Sequence, residues 1–315
     1  MRNKATKVVI TGAAGLVGQN LILLLSACDD LKTVALDKQK NNLRLAQELS
    51  PSVCTECADL ALSGPWVDKF AHADAVVILH AQISGRESSL FIRNNLHATR
   101  LVLDAINRHK VPYSVLVGSS VVNSVANDDY TNTKKAQETM FLESGIPGCI
   151  LRPTLMYGWF DPKHLGWLAR FMENTLVFPI PGHGRYMRQP LYNRDFCRAI
   201  LWCLKHRPVG KIYDLVGNER IDYIDIIREI KRVKGLRTPI VRIPYGLFDF
   251  LLKAYSVFSD DPPFTSDQLK ALTAGDEFTG VDIRQTFGFE PTPFRKGIEE
   301  TFCHPVYSKY TVERT

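Results

Sequence analysis

Residues 7–26 read KVVITGAAGLVGQNLILLLS, and the order of textures inside this stretch decides the fold. Val8, Val9 and Ile10 form a short β-branched run, the mark of a strand covered on both faces. The glycine-rich turn Thr11-Gly12-Ala13-Ala14-Gly15-Leu16-Val17-Gly18 follows at once, and the apolar run QNLILLLSA then continues with helical character. Strand, glycine turn and helix in direct succession form the context that a dinucleotide fingerprint requires. Gly12 permits the tight turn, Gly15 lets main chain approach a pyrophosphate, and Gly18 lets helix and strand lie close. Ala14, Leu16 and Val17 belong to the same expected cofactor loop. The free N–H groups at the helix start offer a positive end to phosphate.

The alternation continues downstream. Strands are predicted over residues 33–36, 53–57, 75–79, 113–117 and 148–151, and a helix over 93–108 with Leu96, Thr99, Leu103 and Ile106 near one face. Short apolar strands spaced by helices predict an α/β fold, a Rossmann-type doubly wound parallel sheet. Beyond about Arg152 the texture changes, with frequent proline and aromatics as in PTLMYGWFDP and VFPIPGHGRYMRQP. Residues 1–155 are therefore expected to form the NAD-binding core, with 188–210 returning to it through a helix near 195–205. Residues 156–187 and 211–315 are expected mostly in a smaller substrate-binding lobe.

Bulk properties narrow the classes. The 315 residues are 45% hydrophobic and 23% charged, the composition of an ordinary globular enzyme or binding protein. A net charge of +6 comes from scattered Lys and Arg, with no basic arm, so nucleic acid is not an expected partner. The longest apolar stretch, LILLL at 21–25, is too short to span a bilayer, and MRNKATKVVI shows no signal-peptide architecture. Seven cysteines without framework spacing suggest a reduced, cytoplasmic chain. The lone CxxC at Cys54 and Cys57 has no second pair and no histidine cluster, so no metal is expected.

Asp37 ends the second predicted strand nineteen positions past Gly18. An acid there accepts from the adenosine 2′-hydroxyl and repels a 2′-phosphate, which favours NAD over NADP. Lys38 beside it would partly accommodate a phosphate, so NADP stays as the lesser alternative. Further on, SSVVNSVANDDYTNTK at 119–134 sets Tyr130 and Lys134 one helical turn apart, behind Ser119 and Ser120. With 11 Tyr in the chain, such a spacing carries little weight alone. In a dinucleotide-binding context, an ammonium beside the phenol would lower its pKa from about 10 and make Tyr130 a general acid/base.

These segments, in order, resemble the extended short-chain dehydrogenases/reductases of the NAD-dependent epimerase/dehydratase family. TGAAGLVG looks like their cofactor loop, and Ala58-Asp59-Leu60 is similar to the turn whose Asp meets the adenine. DAVVILHAQ at 74–82 resembles the strand lining the cofactor, with His80 and Ala81 as wall residues. NLHAT at 95–99 resembles the helix in which Asn95 holds the active-site geometry. LRPTLMYG at 151–158 brings Pro153 toward the cofactor and Thr154 toward the substrate. RQPLYNRD at 188–195 is similar to the segment whose Arg binds a substrate diphosphate, which would be Arg188, and FGFEP at 287–291 matches a closing motif. The resemblance implies that Lys134 also bonds the nicotinamide ribose, that Ser120 bonds the reacting oxygen, and that Ser119 is structural.

Two departures shape the functional expectation. Val121 and Val122 stand where 4,6-dehydratases carry an Asp-Glu pair, which argues against dehydration. Only ten positions separate Ser120 from Tyr130, so the loop over the substrate is short. The expectation is an NAD-dependent epimerase or oxidoreductase acting on a nucleotide sugar, most simply a 4-epimerase, working as a homodimer. The alternatives are a dehydrogenase or ketoreductase of another secondary alcohol, and a non-catalytic NAD(P)-binding scaffold. From the loop PGHGRY, Arg185 is a further substrate-contact candidate, with His183 and Tyr186 beside it.

Overall fold

Seven parallel strands form the central sheet of the computed structural model, which describes residues 5–124, 127–258, 266–274 and 277–313. The first six are β1 (Thr6–Thr11), β2 (Leu31–Asp37), β3 (Cys54–Cys57), β4 (Ala75–Ile78), β5 (Ser114–Val117) and β6 (Gly148–Pro153). β1 lies mid-sheet, flanked by β2 on one side and β4 on the other; β3 continues one wing, β5 and β6 the other. Each predicted strand is present, with boundaries moved by a few residues. The switch of direction between β1 and β4 opens a crevice at the carboxyl ends of these strands, where α/β sheets bind ligands.

The seventh strand, Ile212–Leu215, pairs in parallel with β6. It falls in the range expected mostly in the smaller lobe. Its sequence IYDL is short and, as an edge strand, only partly covered, so the apolar pattern of a buried strand is missing. The helix Asn193–His206 does return to the core, burying Phe196, Ile200 and Cys203 against β5 and β6 residues.

Period-two alternation distributes the strand side chains to two faces. Val8, Ile10, Val77, Val115 and Leu151 meet Leu21, Ile22 and Leu25 of α1 (Leu16–Ser26) on one face. Val9, Val76, Ile78, Leu116 and Ile150 meet Val102 and Ile106 on the other. Each such side chain is fully covered and contributes about 1.5–3 kcal/mol relative to exposure. A separate small core, including Leu165, Met172, Ile180, Ile227, Ile230 and Ile298, holds the second lobe.

The predicted helix over 93–108 forms with one irregularity. Between Ser88–Phe91 and Ala98–Arg108 the chain takes a wide π turn at Ile92–His97. Thr99, Leu103 and Ile106 are buried as the periodicity requires, but the extra residue turns Asn95 inward and leaves Leu96 half-buried. Among the described residues, no helix is long and apolar enough to cross a membrane.

The close packing of α1 on β1 can be tested at Gly18. A Cβ there would stand 2.3 Å from the Ala13 carbonyl oxygen, which is main chain and cannot swing aside. Gly18→Ala is expected to cost about 1–3 kcal/mol in denaturant unfolding, the usual range for overpacking. Gly246→Ala, where a Cβ meets nothing within 4 Å, is expected to be neutral or stabilising by about 0.4–1 kcal/mol.

Candidate active site

The crevice holds a cleft of about 500 Å³ whose wall includes Gly12, Gly15, Leu16, Val17, Asp37, Asp59, Leu60, His80, Ala81, Ser120, Tyr130, Lys134, Pro153 and Thr154. Two glycines give its floor distinct properties. Gly12 has φ +68°, and a Cβ on it would come within 2.4 Å of the His80 nitrogen, so β1 and β4 exclude any larger residue. At Gly15 a Cβ would meet only the Gly12 carbonyl, at 3.5 Å, so this glycine keeps space open toward the cleft. α1 begins directly after it with no side-chain cap and no acid in its first turn. Its free N–H groups and positive end are left for an anion, which fits a dinucleotide pyrophosphate.

Asp37 is buried at the end of β2. Its carboxylate accepts the Gln39 N–H at 2.9 Å and the Ala14 N–H at 3.0 Å. Burial pushes the carboxyl up, opposed by hydrogen bonds from the Gln39, Ala14 and Lys38 amides and by the Lys38 charge. Ala14 is thus not a wall residue, contrary to expectation; its amide positions Asp37 instead. Asp59 pairs with Arg93 at 2.5 Å and accepts the Ala61 N–H at 3.0 Å. Burial acts to raise this carboxyl, but Arg93 and the Ala61 amide hold it below the usual range.

The other half of the cleft is organised by the helix Asp129–Glu143. Asp128 caps it, accepting the Thr131 N–H at 2.8 Å, and the first turn places Tyr130 in the wall. One turn on, Lys134 is only 2% exposed. Its ammonium donates to the Val117 carbonyl at 2.8 Å and to Gln137 Oε1. Burial lowers its pKa to about 8, opposed by the charge of Glu138. Glu138 is gripped by Arg152 of β6, whose Nε and Nη2 reach it at 3.0 and 2.6 Å.

Tyr130 departs from expectation. Its pKa is raised rather than lowered, by burial first, while a hydrogen bond from Ser119 opposes this and Asp128 adds to it. Two of the three Lys134 ammonium donors go to Val117 and Gln137, and burial keeps the phenol protonated at neutral pH. Ser119 and Ser120 both line the cleft beside the phenol, and Ser119, expected as structural, acts to lower its pKa.

A buried polar chain supports this corner. Gln137 Nε2 donates to Thr99 Oγ1 at 2.7 Å, Thr99 meets His80 Nε2 at 3.0 Å, and His80 Nδ1 meets Thr11 Oγ1 at 2.8 Å. Burial, with the Lys134 charge, pushes His80 down to about 3, so it is a neutral wall and packing residue. Asn95 is fully buried and outside the cleft wall. Its Oδ1 accepts the Gln82 N–H at 2.6 Å, and its Nδ2 donates to Gln82 O at 3.1 Å and Thr133 Oγ1 at 2.9 Å. It acts as a positioning residue, tying the loop after β4 to the helix that carries Lys134.

Of the expected substrate residues, Thr154 lines the cleft, with its hydroxyl on the Gln189 carbonyl at 3.1 Å. Arg185 and Arg188 do not line it. Arg185 lies exposed in its turn, and Arg188 is covered by the helix Ser266–Ala274, donating to the Leu272 carbonyl at 2.6 Å. Sequence reasoning missed Asn94 and Lys163 in the wall, and Gln137 behind it. Only Gln137 carried a usable signal, its i+3 spacing from Lys134 on one helix face.

The depressed Lys134 fixes the sign of a pH effect. Between about pH 8 and 10.5 the unfolded chain keeps the lysine proton while the folded chain releases it, so stability contributed by this site rises with pH. Measured against Lys134→Met in the cofactor-free protein, the wild type should gain up to about 3 kcal/mol across that window. A flat difference would show that the ammonium is not desolvated.

By sequence, the chain is 24% identical over 274 residues to a dTDP-glucose 4,6-dehydratase of Streptomyces niveus, covering 75% of this chain and 80% of that one. The human dTDP-D-glucose 4,6-dehydratase is 22% identical over 262 residues, 72% and 73% of the two chains. Among solved structures, a Bacillus cereus UDP-glucuronic acid 4-epimerase in complex with NAD superposes with TM-score 0.72 at 19% identity, covering 94% and 97%. A Thermotoga maritima UDP-glucose 4-epimerase with UDP-glucose does so with TM-score 0.74 at 17% identity, covering 94% and 97%. These structural likenesses establish the fold. The model of the NAD dependent epimerase/dehydratase family matches residues 8–215, and the chain belongs to that family of NAD-dependent enzymes.

Proposed function

We propose that this enzyme interconverts nucleotide sugars that differ at one sugar carbon, as a 4-epimerase. The observation that carries this reading is the apolar wall at Val121, beside a complete Ser119, Ser120, Tyr130 and Lys134 set. Elimination of water needs an acid and a base next to the sugar, and the positions after Ser120 supply neither. The carboxylates lining the cleft among the described residues are Asp37, Asp59, Asp161 and Glu313. Asp161 is spent on the N–H groups of Lys163, His164 and Gly166 at 2.9 Å each. Asp37, Asp59 and Glu313 fit the dinucleotide half.

Bound NAD supplies a hydride acceptor that can return the hydride to either face of a planar carbonyl carbon. The chain's own part is proton transfer and positioning. Once ligand binding has made Tyr130 release its own proton to solvent, the phenolate Oη takes the proton of the sugar hydroxyl as the carbonyl forms and gives it back as the alcohol is restored. Ser119 favours the phenolate by its hydrogen bond, and the nearby Lys134 cation stabilises the charge that develops. Ser120 holds the reacting oxygen, and Thr154 contacts the sugar. The sequence relatives are dehydratases, but the two valines separate this site from their chemistry.

Incubation with UDP-, dTDP-, GDP- and CDP-sugars tests the reading. Appearance of the 4-epimer without net NADH is expected with at least one; net NADH accumulation would assign a dehydrogenase, and no conversion of any would reject a nucleotide sugar. Tyr130→Phe is expected to lower kcat by about 10²–10⁴-fold while leaving NAD affinity within a few-fold. Val121→Asp with Val122→Glu should not raise turnover.

A further inference from the structure

The segment at residues 311–313 reaches the cofactor cleft from the second lobe, and its contacts are those of a fastened strap. Its anchor is aromatic: Trp159 donates its indole N–H to the Glu300 carbonyl at 2.7 Å and packs on His304 and Tyr307, with centroids 4.8 and 4.6 Å away. From there Thr311 bridges to Phe160, and the Val312 N–H reaches the Phe160 carbonyl at 3.3 Å. Val312, 4% exposed, packs with Trp159, Phe160 and the aliphatic side chains of Leu23, Leu45 and Leu49.

Glu313 then docks on Asn42, in the helix that follows Asp37. The Glu313 N–H donates to Asn42 Oδ1 at 2.9 Å, and Asn42 Nδ2 donates to the Glu313 carbonyl at 3.2 Å. One carboxamide therefore pairs with both main-chain groups of a residue, as a neighbouring strand would. Asn42 is 3% exposed and its own carbonyl accepts Gln19 Nε2 at 2.6 Å, so the receptor is rigid. Val312 and Glu313 line the same cleft as Gly15, Leu16, Asp37 and Lys38. The strap thus walls the half that fits the pyrophosphate and the adenosine ribose.

We propose that residues 311–313 form a strap that retains the dinucleotide, with Asn42 as the latch that positions it. A redox-neutral reaction needs the cofactor to stay bound through both of its oxidation states, and a pinned wall slows its escape. The inference rests on NAD binding, not on the sugar. It is measured without substrate, so its failure would leave the epimerase reading intact and the reverse also holds.

The test is NADH dissociation from the protein, followed by loss of protein-enhanced NADH fluorescence on mixing with excess NAD. Asn42→Ala is expected to speed dissociation by about tenfold or more, since two part-buried hydrogen bonds of the latch are lost. Val312→Ala, which trims the apolar contact without touching the latch, should speed it several-fold if Asn42→Ala proves poorly folded. Asn41→Ala, which removes only an exposed hydrogen bond of 2.9 Å to the Glu313 carboxylate, should stay within about twofold of wild type, because the latch grips main chain. Wild-type rates in both folded variants, or equal acceleration by Asn41→Ala, would overturn the strap.

Discussion

One buried cation organises the reactive end of this molecule. An ammonium that is 2% exposed loses nearly all of its water, and its neighbours must replace that hydration. The Val117 carbonyl and Gln137 do so directly, while Glu138 supplies an opposing charge. Each of those groups needs its own support. Arg152 fixes Glu138, and Thr99, His80 and Thr11 fix Gln137 in a line of hydrogen bonds. Four neighbouring strand ends thus take part: Thr11 on β1, His80 just after β4, Val117 on β5 and Arg152 on β6. The sheet order is what lets one lysine be solvated by protein.

The same arrangement separates the roles of groups that look alike in sequence. His80 and Tyr130 both line the cleft, yet His80 is held neutral by burial and by the cation, leaving it no proton to exchange near neutral pH. Tyr130 keeps its proton until a ligand changes its surroundings, and Ser119 already lowers the cost of giving it up. Asn95 never touches the cleft, but its carboxamide joins the loop after β4 to Thr133, next to Lys134. Reactivity here is set by a shell of residues that carry no chemistry of their own.

The fold was readable because its signals are local and periodic: glycine spacing after a strand, β-branched runs, an acid at a strand end. The dinucleotide half of the site was readable for the same reason, since Gly12, Gly15 and Asp37 lie within one strand–helix–strand unit. Errors came where distant contacts decide. Ala14 was expected in the cofactor-binding loop, yet Asp37 uses its amide. Arg188 looked like a diphosphate ligand, yet a helix some eighty residues away covers it. The phenol was expected to be acidified by Lys134, but its own burial raises its pKa instead. Asn95 was expected from the family resemblance to hold the active-site geometry, and the π turn that swings it inward leaves no trace in hydrophobic spacing.

The docking of Glu313 on Asn42 joins positions 271 residues apart. Strand β1, the glycine loop and Asp37 precede the second lobe in sequence and can assemble as a local unit. The wall at Val312 and Glu313 cannot exist until the second lobe has been made and has folded against the first. The cofactor cleft therefore has a high contact order on one side and a low one on the other. A half-folded chain has the floor of the site without its far wall, and occupancy of the cleft becomes a report on the docking of the second lobe.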